Sequence, residues 1–96
     1  MKKTHWVYIL TNATHSTLYT GVTSDLERRI AEHRSGKHDG FTAKYNLHQL
    51  VYVQEYDSIV TAIEQEKRIK GGSRKRKDAL ISAKNPEWKD LAPRGE

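Results

Sequence analysis

The chain has 96 residues, with 17 Lys and Arg against 12 Asp and Glu for a formal charge of +5, five His and no Cys. A fold of this length buries only about two-thirds of the surface its unfolded chain exposes, so one modest core is expected and any active site must share residues with it. The lack of Cys excludes a disulfide framework, a thiol nucleophile, an iron–sulfur site and a zinc ribbon. The longest apolar run, Trp6 to Leu10, is far short of the roughly 20 residues of a membrane helix. No cleavage-site pattern follows Met1-Lys2-Lys3, so a soluble, cytoplasmic protein is expected, and its positive balance favours a polyanionic partner such as nucleic acid.

His5 to Leu10 is β-branched and aromatic without helical spacing, and polar Thr11 to Ser16 separates it from a second such run, Thr17 to Val22. That pattern predicts a β-hairpin. Alternation puts Trp6, Tyr8 and Leu10 on one face of the first strand and Thr17, Tyr19 and Gly21 on one face of the second; whether Tyr8 and Tyr19 share a face depends on the register. Ser24-Asp25-Leu26-Glu27 has the capping-box pattern and predicts a helix from Asp25 to Ser35 that Gly36 stops. Phe41 to Tyr45 reads as a short helix or an ordered loop, and Leu47 to Tyr56 as a third strand. Asp57 or Ser58 caps a helix whose apolar stripe is Ile59, Ala62, Ile63 and Ile69; Gly71-Gly72 ends it, and Ser73 caps a further short helix through Ala79-Leu80-Ile81. Pro86 and Pro93 mark an irregular tail. The expected order is ββα(α)βαα, an α+β domain over residues 1–84 followed by a tail over 85–96.

Two polar anomalies point to chemistry. At about 100° per residue, Leu26, Arg29, Ile30 and His33 share the stripe of the first helix that must pack, while Arg28 points away. In the later helix Glu66, but not Glu64, falls within the apolar stripe. A carboxylate there needs a cation, a metal or water, and Lys70, four residues on, is the nearest simple partner. An Arg, a His and a Glu aimed from two helices toward a sheet bearing two Tyr suit phosphodiester hydrolysis: Glu66 to hold a hard divalent ion, Arg29 to hold phosphate, and a tyrosine or His33 to move the proton. His33 and His38 straddle Gly36 with no Cys to complete a set, so they do not read as a zinc site.

These residues resemble the GIY-YIG nuclease superfamily. Its first motif looks like Trp6-Val7-Tyr8 and its second like Tyr19-Thr20-Gly21. Its helix motif resembles Asp25 to His33, with the family arginine on Arg29 and a frequent histidine on His33, and its metal-binding glutamate matches Glu66. Phe41 to Tyr45, Ser73 to Lys77 and Asn85-Pro86-Glu87-Trp88 resemble the small stand-alone bacterial members. The sequence departs from the pattern at Trp6, which replaces the first glycine, and at Val22, where the nucleotide-excision-repair members have lysine. The resemblance implies a three-stranded antiparallel sheet flanked by helices and one divalent metal, magnesium or manganese. It implies an endonuclease acting on nucleic acid, DNA favoured, in repair or recombination, with a protein partner supplying specificity. The implied catalytic residues are Tyr8, Tyr19, Arg29, His33 and Glu66, with Tyr19 preferred as base and Tyr8 second. The competing expectation is a module with the same fold that binds nucleic acid or recruits a partner without cleaving.

The acid-free basic residues Lys67, Lys70, Arg74, Lys75, Arg76 and Lys77 read as a phosphate-tracking patch beside Glu66, with Thr23 and Lys44 as further phosphate contacts. Trp88 reads as a plug that packs the tail on the core.

Overall fold

The chain alternates short, strongly apolar strands with amphipathic helical segments, and the sheet they form is covered on both faces. In the computed structural model, which describes residues 3–36 and 40–92, the order is β1 (His5–Thr11), β2 (Leu18–Thr23), α1 (Leu26–Arg34), α2 (Gly40–Lys44), β3 (Gln49–Tyr56), α3 (Ile59–Lys70) and α4 (Arg74–Lys84). His38 and Pro93 lie outside the described residues. The three strands form one antiparallel sheet in the order β2-β1-β3, an α+β fold with helices on both sides, as expected. Central β1 is buried on both faces, so Val7 to Leu10 reads as a continuous apolar run.

One face packs Tyr8, Leu10 and Leu50 against Ile30 of α1, with Leu47 and Ala92 closing the cluster. The other packs Ile9, Val51 and Tyr52 against Ile81 of α4, with Ile69 of α3 and Trp88 at its margin. Adjacent residues Val51 and Tyr52 enter the same layer because β3 carries an extra residue: Ile9 pairs with Tyr52, but Leu10 pairs with Leu50. The Val51 carbonyl, displaced from the ladder, accepts a 3.0 Å hydrogen bond from buried Asn85, whose amide also closes on Lys89. Downstream, Leu91 N–H donates to the Leu50 carbonyl, and Asp90 accepts from Leu50 N–H and from Arg34 at 2.6 Å. Residues 85–92 are irregular yet joined to β3 and α1 through buried hydrogen bonds.

Local expectations need three corrections. The N-cap of α1 is Asp25, whose carboxylate accepts from Arg28 N–H, rather than Ser24; the Thr23 hydroxyl bonds the Asp25 backbone and sets the chain one residue later. In α3 the line toward the sheet runs through Ala62, Glu66 and Ile69, while Ile59 and Ile63 stay 44% and 36% exposed. Ile63 lies about 100° around the helix from Ala62, which turns it off the sheet, and Ile59 sits on the flank at the first turn. Lastly, α4 continues to Lys84, past the short helix expected, because nothing after Ile81 breaks it before the cap at Asn85.

Candidate active site

The hairpin register places Tyr8 opposite Gly21 and Leu10 opposite Tyr19, so the two tyrosines lie diagonally on one face of the sheet. The Tyr8 ring crosses directly over Gly21: a Cβ added there would overlap the Tyr8 hydroxyl and stand 2.5 Å from Cζ. Glycine is needed here for space rather than for an unusual backbone angle. By lying across the neighbouring strand, Tyr8 brings its hydroxyl 2.9 Å from His33 Nε2 on α1. His33 Nδ1 is in turn 3.0 Å from the Thr42 hydroxyl on α2. All three side chains are fully buried. A neutral imidazole has one donor and one acceptor nitrogen, so this line is consistent with a proton passed from Tyr8 toward His33 with Thr42 accepting behind it.

Tyr19 sits against this line, its ring centre 5.3 Å from that of His33 and 6.4 Å from that of Tyr8, and it remains only half-buried. The Lys70 ammonium of α3 stands 5.9 Å from the Tyr19 ring centre and 2.7 Å from Glu66 Oε2. Lys70 thus links the tyrosine cluster to the buried carboxylate, in the Glu-to-Lys order read from the sequence. Glu66 is 8% exposed. Among the described residues no three His, Cys, Asp or Glu side chains gather as a metal-binding group. A single carboxylate fits an ion that keeps several waters and takes its other ligands from phosphate, as magnesium does, and does not fit an all-protein cage.

Arg29 keeps 30% of its side chain exposed and pairs with Glu32 at 3.3 Å. It lines a shallow polar cleft with Thr23, Asp25 and Glu32. The Thr23 hydroxyl is already engaged by the Asp25 backbone.

The residues of the basic run have different neighbours. Lys67 and Lys75 are exposed on α3 and α4, and Lys44 stands over Tyr45 on α2. Arg74 pairs with Asp78 at 2.7 Å and donates to the carbonyls of His15 and Ser16, which ties α4 to the hairpin loop. Arg76 and Lys77 join Arg68 around a cavity of about 190 Å³ floored by Tyr52, Ile69 and Leu80, in the layer across the sheet from the Tyr8 cluster. Thr42 was not singled out from the sequence: a threonine in a short polar segment gives no periodic signal, and its partner is nine residues away.

Comparison with known proteins agrees with this fold. Residues 4–79 match the GIY-YIG catalytic domain. A UPF0213 protein from Natronomonas pharaonis is 39% identical over 82 residues, covering 85% of this chain and 95% of that one. One from Staphylococcus saprophyticus is 37% identical over 78 residues, covering 81% and 94%. The solution NMR structure of the UPF0213 protein BH0048 from Bacillus halodurans superposes with a TM-score of 0.59 at 34% identity, covering 91% of this chain and 92% of that one. The family match over residues 4–79 and relatives 37–39% identical along most of both chains show that the chain belongs to the GIY-YIG catalytic domain family, among its small UPF0213 members.

Proposed function

We propose that the protein is a divalent-metal-dependent endonuclease that hydrolyses phosphodiester bonds in nucleic acid, with DNA the favoured substrate. The observation that carries this reading is a buried carboxylate, Glu66, joined through Lys70 to a tyrosine that packs edge-on against a hydrogen-bonded Tyr8–His33–Thr42 line. A magnesium or manganese ion held by Glu66 would supply charge to polarise the phosphate.

The chain's own residues take the remaining roles. Tyr19, the tyrosine that solvent reaches, takes the proton of the attacking water as its oxygen bonds to phosphorus and the leaving oxygen departs. Tyr8 lies beside it and holds His33, and we assign that imidazole, its ring centre 5.3 Å from that of Tyr19, as the acceptor of the phenol's own proton. A phenol with an ordinary pKa near 10 is a weak base at neutral pH, so an adjoining acceptor is what gives it this role. Arg29, half-exposed on α1, neutralises the extra charge on the pentavalent phosphorus. Lys44, Lys67 and Lys75 contribute a salt-sensitive hold on the phosphate backbone.

One observation favours a second reading, a non-cleaving nucleic-acid-binding module: the 2.7 Å ion pair with Lys70 engages the carboxylate that the metal needs. The two separate in a cleavage screen over single-stranded, duplex, nicked, flapped and branched DNA and RNA, with magnesium or manganese. Hydrolysis falling by at least about 100-fold in Glu66→Gln and Arg29→Ala is the expected result. Binding with no metal-dependent cleavage by the native chain on any substrate would leave the module reading.

A further inference from the structure

Helix α2 has only five residues, and its two sides differ. Thr42 is fully buried and bonded to His33, whereas Phe41 and Tyr45, the residue just past the helix whose N–H donates to the Phe41 carbonyl at 3.1 Å, are 44% and 40% exposed. Their ring centres are 4.9 Å apart, and Phe41 continues onto Tyr19 at 6.3 Å. A row of mutually tilted aromatic rings thus runs from buried Tyr8 and His33 through half-buried Tyr19 out to solvent. It carries a cation at each end: Lys44 lies 5.5 Å from the Tyr45 ring centre and Lys70 5.9 Å from that of Tyr19.

Single exposed apolar side chains are ordinary on a protein surface, but two rings in contact with each other and continuous with a buried cluster are not scattered. Thr42 and Leu47 anchor this segment to the core and set the two rings at its outer side. Flat apolar faces with an ammonium on either end complement one repeating chemistry, a planar base flanked by phosphates. Bases within a continuous duplex are stacked on both faces and offer only their edges. We infer that Phe41 and Tyr45 form a stacking shelf for unpaired nucleobases, and that the substrate is therefore single-stranded DNA or a duplex with a single-stranded flap or gap at the cleavage point. The link from shelf to cleavage point rests on the nuclease reading above; the shelf itself requires no turnover.

The test is fluorescence anisotropy of the native chain in chelator, which prevents cutting, with a labelled single strand, the same strand with abasic sites, and the matching duplex. Phe41→Leu/Tyr45→Leu keeps the apolar character of α2 and removes the flat rings; an unchanged melting temperature verifies its fold. The shelf predicts that the single strand binds more tightly than the duplex. It also predicts that the double variant and the abasic strand each lose about 5- to 100-fold in affinity, with duplex binding changed less than about twofold. Equal binding of intact and abasic strands, or no loss in the variant, overturns it. So does sedimentation showing a dimer that the variant abolishes, which would assign the rings to self-association. Glu66-dependent cleavage with binding insensitive to the rings sinks the shelf alone, whereas ring-dependent binding without cleavage sinks the nuclease reading alone.

Discussion

Gly21→Ala adds one methyl group and should be among the most damaging small substitutions in the chain. The new Cβ would stand 2.5 Å from Tyr8 Cζ and overlap the hydroxyl, and the ring is fully buried, so it has no nearby space to enter. Overpacking of a tight core costs about 1–3 kcal/mol. Pushing the ring aside also breaks the 2.9 Å bond to His33, and a buried polar group left unpaired costs about 1–3 kcal/mol. Alanine recovers about 0.4–1 kcal/mol by restricting the unfolded chain, which leaves a net loss of about 1–5.6 kcal/mol, centred on about 3 kcal/mol. For a domain of this size that central loss corresponds to a fall in Tm of about 10–25 °C. Thermal and urea unfolding followed by circular dichroism would measure it. A double-mutant cycle localises the cause: Tyr8→Leu removes the ring, and in that background Gly21→Ala should cost less than about 1 kcal/mol. An alanine variant as stable as the native chain, or a cost unchanged by Tyr8→Leu, would refute the close crossing of ring over glycine.

Asn85→Ala leaves the displaced Val51 carbonyl and the Lys89 backbone without their side-chain partner, and should cost about 2–4 kcal/mol; Asn85→Asp, which lacks the amide donor, should not rescue it. A loss below about 0.5 kcal/mol would show that water replaces the amide. Burial, and then neighbouring Tyr56, raises the Tyr52 phenol above its ordinary 10.0. The folded chain therefore holds this proton more tightly than the unfolded chain does. That contribution is fully present below the unfolded value and is lost as pH rises above about 10 and through the folded value. Urea midpoints should fall less steeply above about pH 10 in Tyr52→Phe than in the native chain, and parallel curves would remove Tyr52 as the cause.

What the sequence revealed follows from where the information is local. The strands and helices are short-range patterns of apolar spacing and caps, so their order and nearly all their boundaries could be read directly. Arg29 and Glu66 stood out because a charge on a packing stripe breaks that pattern. The pairing of Tyr8 with His33 was not legible, since it needs the hairpin register, and the side-chain period in a strand is satisfied by either choice of partner. Glu66 and Ile63 show the reverse difficulty: the spacing placed Glu66 within the stripe, where the sheet receives it, but it also counted Ile59 and Ile63 there, and both stay exposed. The roles of Asn85 and Asp90 were not legible, because Asn85 bonds backbone groups at a bulge and Asp90 joins a strand-edge amide to Arg34, 56 residues away, which no composition marks.

Because His33, Tyr8 and Thr42 are core residues, loss of activity in most variants of this site is confounded with loss of the fold. Thr42→Val separates them. Valine is nearly isosteric and removes only the hydroxyl 3.0 Å from His33 Nδ1, so the ring keeps its packing and its contact with Tyr8 while losing the group that holds its far nitrogen. If Thr42 positions His33 for proton transfer, Thr42→Val should lower kcat by about 10- to 100-fold and displace the pH–rate profile, with KM nearly unchanged, and Thr42→Ser should restore both. The measurement is a pH–rate profile at saturating metal, beside a melting curve of each variant at the same pH. A purely structural threonine would instead lower the Tm of the valine variant while leaving the profile of its folded fraction in place, and that outcome would remove Thr42 from the proton path.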